Sequence, residues 1–218
     1  MTDLSGVRDI QYRIRLKPNA QPKRPRQYRY APHMRQIIDK ELETWQSADI
    51  VEEGDAEWLH PVVLVKEKPI NPQGNEPPKY RMCLDLREIN KHIKIDSYPI
   101  PTIQSITESI GSPAPQFFTS LDCFHGFLQI RMHHESSRLL GIQTDTKTFR
   151  LKRLPFVLAT SPYVYQKLMN KLFSGYLYIF TVAYIDDVIT YSRDFKTHLH
   201  HLRLVLDRFR DTGLRLLS

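Results

Sequence analysis

The sequence predicts an α+β fold, because segments of strand period and segments of helical period interleave along its 218 residues without the steady alternation of a doubly wound sheet. Two further observations narrow the class. No internal repeat is present, and Pro, Gly and Asn separate short apolar runs rather than bounding one long one. A chain of this length buries a sizeable core, as one large domain or two small ones.

Each element follows from local pattern. Ile10, Tyr12, Ile14 and Leu16 alternate with Gln11, Arg13, Arg15 and Lys17, the period of a strand, and a basic tract runs on through Lys23, Arg24, Arg26 and Arg29. This N-terminal arm is expected to be extended and cationic. After Pro32, the residues Met34, Ile37, Ile38, Leu42 and Trp45 share one helical face, and Gly54 breaks the chain beyond them. Pro61 to Val65 and Tyr80 to Leu86 read as strands, and the Pro, Asn and Gly between Pro69 and Pro78 form a hairpin tip. Ile103, Ile106 and Ile110 mark a helix from near Pro101 to Gly111, and a strand from Phe117 to Leu121 delivers Asp122. Leu139 to Gln143 and Thr148 to Leu151 flank a polar turn. Ser161-Pro162 opens a helix carrying Val164, Leu168 and Leu172. Two strands, Tyr176 to Ala183 and Val188 to Tyr191, meet at an Asp pair, and Leu199, Leu202, Val205, Leu206 and Phe209 make a last helical stripe closed by Gly213.

Lys and Arg total 31 against 24 Asp and Glu, a formal charge of +7 with a pI near 9.4, and such an excess commonly serves a polyanionic partner or an anionic surface. Cys83 and Cys123 stand far apart with no Cys-x-x-Cys, and the N-terminus lacks an apolar core of signal-peptide length, so an intracellular, unsecreted protein is expected. No apolar run approaches the roughly 20 residues that span a bilayer, which excludes a membrane-spanning reading.

The chemistry concentrates at Tyr184-Ile185-Asp186-Asp187. Two apolar strands joined there place two carboxylates at a hairpin apex, and Asp122 ends another apolar strand that fits beside them. Three converging carboxylates raise one another's pKa, and divalent cations relieve that repulsion. Magnesium favours hard oxygen ligands, binding through one or two carboxylates together with substrate phosphates. Asp-Asp in a turn is also ordinary turn chemistry, so the motif gains weight only from its neighbours.

Those neighbours resemble the fingers and palm of a reverse transcriptase from a gypsy-type LTR retrotransposon. The blocks Pro61-Val62-Val63-Leu64-Val65-Lys66, Tyr80 through Asn90, Tyr98-Pro99-Ile100-Pro101, Leu121-Asp122, Gly126-Phe127-Leu128-Gln129-Ile130 and Tyr184-Ile185-Asp186-Asp187 occur in that family's order, from about Ile10 to the last residue. The resemblance implies that Asp122, Asp186 and Asp187 are catalytic carboxylates that hold two magnesium ions, replaceable by manganese, with the Cys123 backbone carbonyl as a further ligand. Asp122 and Asp186 are expected to hold metal directly, while Asp187 shapes the field. It further implies that Arg81 rests on the incoming triphosphate, a task its planar fork suits. Phe127 packs beneath the nucleotide sugar and excludes a ribose 2′-hydroxyl. Lys66 or Lys68 adds a phosphate contact, the family's Lys-Lys run being interrupted by Glu67. Phe156 touches the nucleotide and template, and Tyr184 with Lys23, Arg24, Arg26 and Arg29 contacts nucleic acid. Relatives read Pro-Phe-Gly or Pro-Gln-Gly where this chain has Pro155-Phe156-Val157, and a β-branched valine tolerates neither a positive φ nor a close backbone approach.

The implied architecture is a polymerase right hand without a thumb. Residues 1–30 form the arm, 31–100 the fingers with the palm entry, and 101–218 mainly the palm, with a return to the fingers around 130–155 and the catalytic hairpin at 176–192. Thumb, connection and RNase H regions are expected to be missing. The implied function is RNA-directed DNA polymerisation on a primed RNA or DNA template from deoxynucleoside triphosphates, within a parent polyprotein, in a cytoplasmic particle or the nucleus. Two rival readings stand beside it: a catalytically impaired remnant that binds nucleic acid, and an RNA-templated RNA polymerase, against which Phe127 argues. His198, His200 and His201 lack the four ligands of a structural zinc site and are read as a solvated helix face, and His133-His134 and the Cys123 thiol receive no chemistry.

Overall fold

The computed structural model describes residues 7, 10–24, 28–67, 78–111 and 114–217, and the chain divides into two compact units. The first comprises Tyr12–Lys94 and Met132–Arg153, and the second comprises Ile95–Arg131 and Leu154–Ser218 with the N-terminal piece ending at Gln11. In chain order the strands are β1 (Gln11–Tyr12), β2 (Val51–Glu53), β3 (Leu59–His60), β4 (Val62–Lys66), β5 (Tyr80–Leu84), β6 (Phe117–Asp122), β7 (Arg131–Met132), β8 (Gly141–Gln143), β9 (Thr148–Leu151), β10 (Thr181–Tyr184) and β11 (Asp187–Ser192). The helices are α1 (Pro32–Ser47), α2 (Arg87–His92), α3 (Ile103–Ile110), α4 (His134–Ser137), α5 (Ser161–Leu172) and α6 (Phe195–Thr212), with a 3-10 turn at Gly126–Gln129. Lys68, Arg26 and the expected hairpin tip through residue 77 lie outside the described residues.

In the first unit a four-stranded sheet runs β2-β9-β8-β3, with β3 parallel to β8 and the other pairs antiparallel, and β4 pairs antiparallel with β5. Its core gathers Ile38 and Leu42 from α1, Trp58, Met82, Leu84, Ile89 and Ile93, and Leu140, Ile142, Phe149 and Leu151. Gly141 is required by close approach rather than by φ: a Cβ there would meet the Ala56 Cβ at 2.3 Å and the Trp58 carbonyl oxygen at 2.5 Å. The predicted strand from Ile10 to Leu16 is mostly absent. Only Gln11–Tyr12 forms a strand; beyond it Ile14 N–H donates to Ser136 Oγ at 2.8 Å, and Leu16 makes one isolated antiparallel bridge with Ile93, in which Lys17 N–H donates to the His92 carbonyl and Lys94 N–H to the Arg15 carbonyl, each at 2.8 Å. The alternation marks one-sided burial of Ile14 against these groups, which does not need a ladder.

The second unit is built on the antiparallel sheet β10-β11-β6. One face of that sheet meets α6. His198 bonds Thr119 Oγ1 at 2.8 Å and Ser192 Oγ at 3.2 Å, and both hydroxyls lie on this face. On the opposite face Ile106 and Ile110 of α3 pack with Val182, Ile189 and Tyr191. Thr102 caps α3 by accepting from Ser105 N–H at 3.1 Å, and Gly111 at φ 75° ends it, where a Cβ is disfavoured.

Two further expectations are corrected in this unit. Tyr176 to Phe180 is a pair of turns rather than the start of a strand, because Gly175 at φ 86° and Tyr178 at φ 62° reverse the chain, and β10 begins only at Thr181. The apolar residues there pack sideways instead: the Tyr176 ring lies 4.9 Å from that of Phe180, with the Arg208 guanidinium 5.0 Å over it. On α6 the buried face is His198, Val205 and Phe209, while Leu199 and Leu206 are exposed, and so His198 and the half-buried His201 leave the solvated face expected of them while His200 stays on it. His198 is buried because its two ring nitrogens join the sheet hydroxyls, and that pairing sets the helix rotation.

A charge clamp closes the first unit. Arg153 is 1% exposed, its Nη2 donates to Asp49 Oδ2 at 2.8 Å and its Nε to the Asp49 carbonyl at 3.0 Å, and Lys152 pairs with the same carboxylate. Although partial burial alone raises it, these two cations hold the Asp49 carboxyl below its ordinary value. Asp49→Asn keeps a residue that tolerates the φ of 57° and removes the charge. We expect a loss of about 1–2 kcal/mol in denaturant titrations, below the cost of breaking a fully buried pair because the carboxylate side is half exposed. The group is depressed in the folded state, so its contribution is present above the ordinary carboxylate pKa and lost as pH falls through the folded value. The two proteins therefore converge in acid.

Candidate active site

The three aspartates meet through strand register. β11 pairs with β6 so that Asp187 faces Asp122, and β10 pairs with β11 so that Tyr184 faces Asp187. Side chains alternate across a strand, and directly opposed residues project from the same face with Cβ atoms about 4.5–5.5 Å apart. Tyr184, Asp187 and Asp122 therefore form one row across the sheet. All three are exposed, on the face that α3 covers only near Val182, Ile189 and Tyr191. Between Tyr184 and Asp187 the loop is Ile185-Asp186, with Ile185 at φ 56°. A two-residue hairpin needs a left-handed first residue in its II′ form, and a β-branched side chain there is strained.

Like charges directly opposed in a sheet repel. Burial first, then the charges of Asp186 and Asp122, push the Asp187 carboxyl above its ordinary value. The same carboxylates add to burial in pushing the Cys123 thiol up to about 11, so that sulfur stays protonated and is no nucleophile. The Cys123 carbonyl accepts from Gly126 N–H at 3.2 Å, which leaves the oxygen one lone pair. Among the described residues no three Asp, Glu, His or Cys side chains already enclose a cation position.

Behind Asp122 the chain turns through His125, at φ 47°, into the 3-10 turn that carries Phe127. The Phe127 ring packs on that of the fully buried Tyr165 from α5, centroids 5.0 Å apart. Gly126 makes this possible, because a Cβ at that position would stand 2.6 Å from the Tyr165 hydroxyl. Tyr165 and Gln166, both fully buried on α5, are the parts of the site that sequence reasoning missed. The available signal was a glutamine falling among the core positions Tyr165, Leu168 and Met169 of one helix.

Arg81 and Lys66 belong to the first unit, on the paired strands β5 and β4. Arg81 Nη2 and Nε both lie 3.2 Å from Glu67 Oε1, so the guanidinium is engaged by a residue of its own hairpin. Lys23 pairs with Glu88, Arg24 reaches the Ala56 carbonyl at 3.4 Å, and Arg29 is exposed. Lys23 and Arg24, with Asp85, Arg87, Glu88 and Lys91, line a groove of about 860 Å³ whose charges are largely paired within it. In the second unit Phe156 is 58% exposed, and Val157 occupies the following turn without a left-handed φ, so the valine fits locally.

The family model described as reverse transcriptase (RNA-dependent DNA polymerase) matches residues 66–217. The chain is 30% identical over 205 residues to the retrovirus-related Pol polyprotein from transposon opus of Drosophila melanogaster, covering 93% of this chain and 20% of that protein. The corresponding polyprotein from transposon 297 of the same organism is 29% identical over 179 residues, covering 82% of this chain and 16% of that protein. The chain thus spans a fifth or less of the length of these relatives. Among solved structures, a prototype foamy virus protease-reverse transcriptase superposes with a TM-score of 0.80 at 23% identity, over 97% of this chain and 27% of that one. A foamy viral protease-reverse transcriptase in complex with an RNA/DNA hybrid gives 0.79 at 18% identity, over the same shares. At these identities the likeness establishes the fold, the fingers and palm of a polymerase right hand.

The Gly126 contact yields a prediction. Gly126→Ala forces the Tyr165 ring away and with it Phe127, and overpacking of this kind costs about 1–3 kcal/mol. Thermal denaturation should register that loss, and a crystal structure of the variant should show the two rings displaced.

Proposed function

The chain belongs to the reverse transcriptase (RNA-dependent DNA polymerase) family, and from that premise we propose that it catalyses template-directed transfer of deoxynucleotides to a primer 3′-hydroxyl. The observation that carries this reading is the register of Asp122 opposite Asp187 with Asp186 in the adjoining turn. A row of carboxylates whose members raise the Asp187 pKa is a donor set short of positive charge, which suits hard divalent cations. Asp122 and Asp187 are exposed and Asp186 is half-buried, so an ion can reach these carboxylates from solvent.

In this reading Asp122 and Asp186 hold a pair of magnesium ions, or manganese in their place, with the Cys123 carbonyl as a further ligand and Asp187 shaping the field. Bound, the ions supply the positive charge that acidifies the primer hydroxyl and steadies the departing pyrophosphate. The remaining work belongs to the protein. Phe127, backed by Tyr165, presents a ring where a ribose 2′-hydroxyl would sit, and so selects deoxynucleotides. Arg81 holds the triphosphate with a bidentate fork once it leaves Glu67, and Lys66 or Lys68 adds charge. Phe156 and Tyr184 offer exposed rings to the base pair and the primer, and Lys23, Arg24, Arg26 and Arg29 follow the phosphate backbone of template and primer. Lys23 and Arg24 contribute less than their charge implies, because both are engaged within the first unit. Fingers and palm correspond in this proposal to the first and second units, and the other domains of a parent polyprotein complete the grip on nucleic acid. Among the described residues no helix is long and apolar enough to cross a membrane.

Primer extension on an RNA template with magnesium tests the assignment. Asp186→Asn should lower extension by about 10²–10³-fold, the scale of losing one preorganised charged group at a reacting centre. Equal extension by the wild type and the variant would falsify the proposal. The pair formed by Glu67 and Arg81 makes a second prediction: Glu67→Gln releases the arginine and lowers KM for the deoxynucleoside triphosphate by about 2–5-fold, the range of an exposed ion pair. In an Arg81→Ala background the same substitution should leave KM unmoved.

A further inference from the structure

Gln166 is 0% exposed on α5, and every polar atom of its side chain is used on or behind the catalytic turn. Its Oε1 accepts from Ile185 N–H at 2.8 Å, and its Nε2 donates to the Ala183 carbonyl at 3.0 Å and to Asn170 Oδ1 at 2.9 Å. Asn170 Nδ2 in turn donates to the Tyr98 hydroxyl at 2.9 Å. The donor and acceptor pattern is consistent along the whole relay, so the amide orientation of Gln166 is fixed by its partners.

The placement matters because the β10–β11 ladder ends at Tyr184 and Asp187, which leaves Ile185 N–H in the loop without a strand partner. Ile185 also holds φ 56°, and a β-branched residue in that region costs about 1–3 kcal/mol and persists only where its surroundings over-determine it. Gln166 supplies that determination from behind, gripping the backbone on both sides of Tyr184. The next residue along is Asp186. A hydrophobic side chain of the same length would leave Ile185 N–H and the Ala183 carbonyl without this partner, and the loop would be free to relax to an unstrained φ.

We propose that Gln166, anchored by Asn170 and Tyr98, is a positioning residue: its side-chain amide locks the left-handed Ile185 backbone and so aims the Asp186 carboxylate at the divalent cation. The inference rests on the metal-holding role proposed for Asp122 and Asp186. Residues standing behind a ligand in this way typically alter metal affinity by about 10–100-fold when removed. A glutamine that only filled the core would lower stability and leave the affinity of the folded protein for a cation unchanged.

The test is manganese binding to the full chain, read as the loss of the free Mn²⁺ signal in electron paramagnetic resonance, with circular dichroism confirming that each variant is folded at the temperature used. Wild type should bind, Asp122→Asn should bind poorly, and Gln166→Met should bind about tenfold more weakly than wild type. In primer extension Gln166→Met should lower kcat while leaving KM for the deoxynucleoside triphosphate within about twofold, since the nucleotide contacts are untouched. Gln166→Met binding Mn²⁺ as tightly as wild type would overturn the inference and leave the metal site standing. Failure of the wild type to bind at all would sink the metal reading itself, and this inference with it. If Gln166→Met does not fold, Asn170→Ala, which removes the outer anchor at a half-buried position, decides the question: weaker Mn²⁺ binding supports the relay, and unchanged binding refutes it.

Discussion

Two carboxylates directly opposed on neighbouring strands set the terms for the rest of the second unit. Asp122 and Asp187 repel at the distance a sheet imposes, and nothing in the ladder between β6 and β11 offsets that. Stability has to come from the other end of the strands and from the far face. The structure supplies both. Val188 and Thr190 are fully buried on the α6 side, His198 ties Thr119 to Ser192, and α3 packs on Val182, Ile189 and Tyr191 rather than on the aspartates. The acidic end stays open because the apolar load is carried elsewhere.

The same division of labour explains the loop. A strained Ile185 beside Asp186 is tolerable because helix α5 presents a buried amide to the turn, and the same helix presents a buried aromatic ring, Tyr165, to Phe127. One helix thereby fixes both the carboxylate side and the sugar side of the proposed nucleotide position. Gly126 is the geometric condition of that arrangement, since any Cβ there collides with the ring that orders Phe127. In the first unit, Arg81 is held by Glu67 of its own hairpin and Lys23 by the sequence-distant Glu88, so their charge is released to a polyanion only by exchange of partners.

Much of this was legible in the sequence. The α1 stripe at Ile38 and Leu42, the β4–β5 hairpin, the strand that delivers Asp122, and the Asp186-Asp187 apex all follow from period and turn chemistry, which are local properties of the chain. Where the reading failed, a nonlocal partner had intervened. Tyr176 to Phe180 looked like a strand because aromatic residues favour strands, yet Gly175 and Tyr178 adopt left-handed φ and the rings pack against α6. The α6 stripe was right at Val205 and Phe209 and wrong at Leu199 and Leu206, because at the start of the helix a histidine, not a leucine, makes the contact with the sheet.

The sequence by itself determined the class of fold, the identity of the carboxylate motif and the order of the blocks around it, because these depend on spacing along the chain. Only the tertiary structure decided that Asp122 stands opposite Asp187 rather than a residue away, that Arg81 is occupied by Glu67, and that Gln166 grips the turn. Register, ion pairing and buried hydrogen bonds join residues distant in the chain, 14 positions apart for Arg81 and Glu67, 65 for Asp122 and Asp187 and 122 for Ile14 and Ser136. Their energies depend on distance in space, and no local pattern in the chain encodes it.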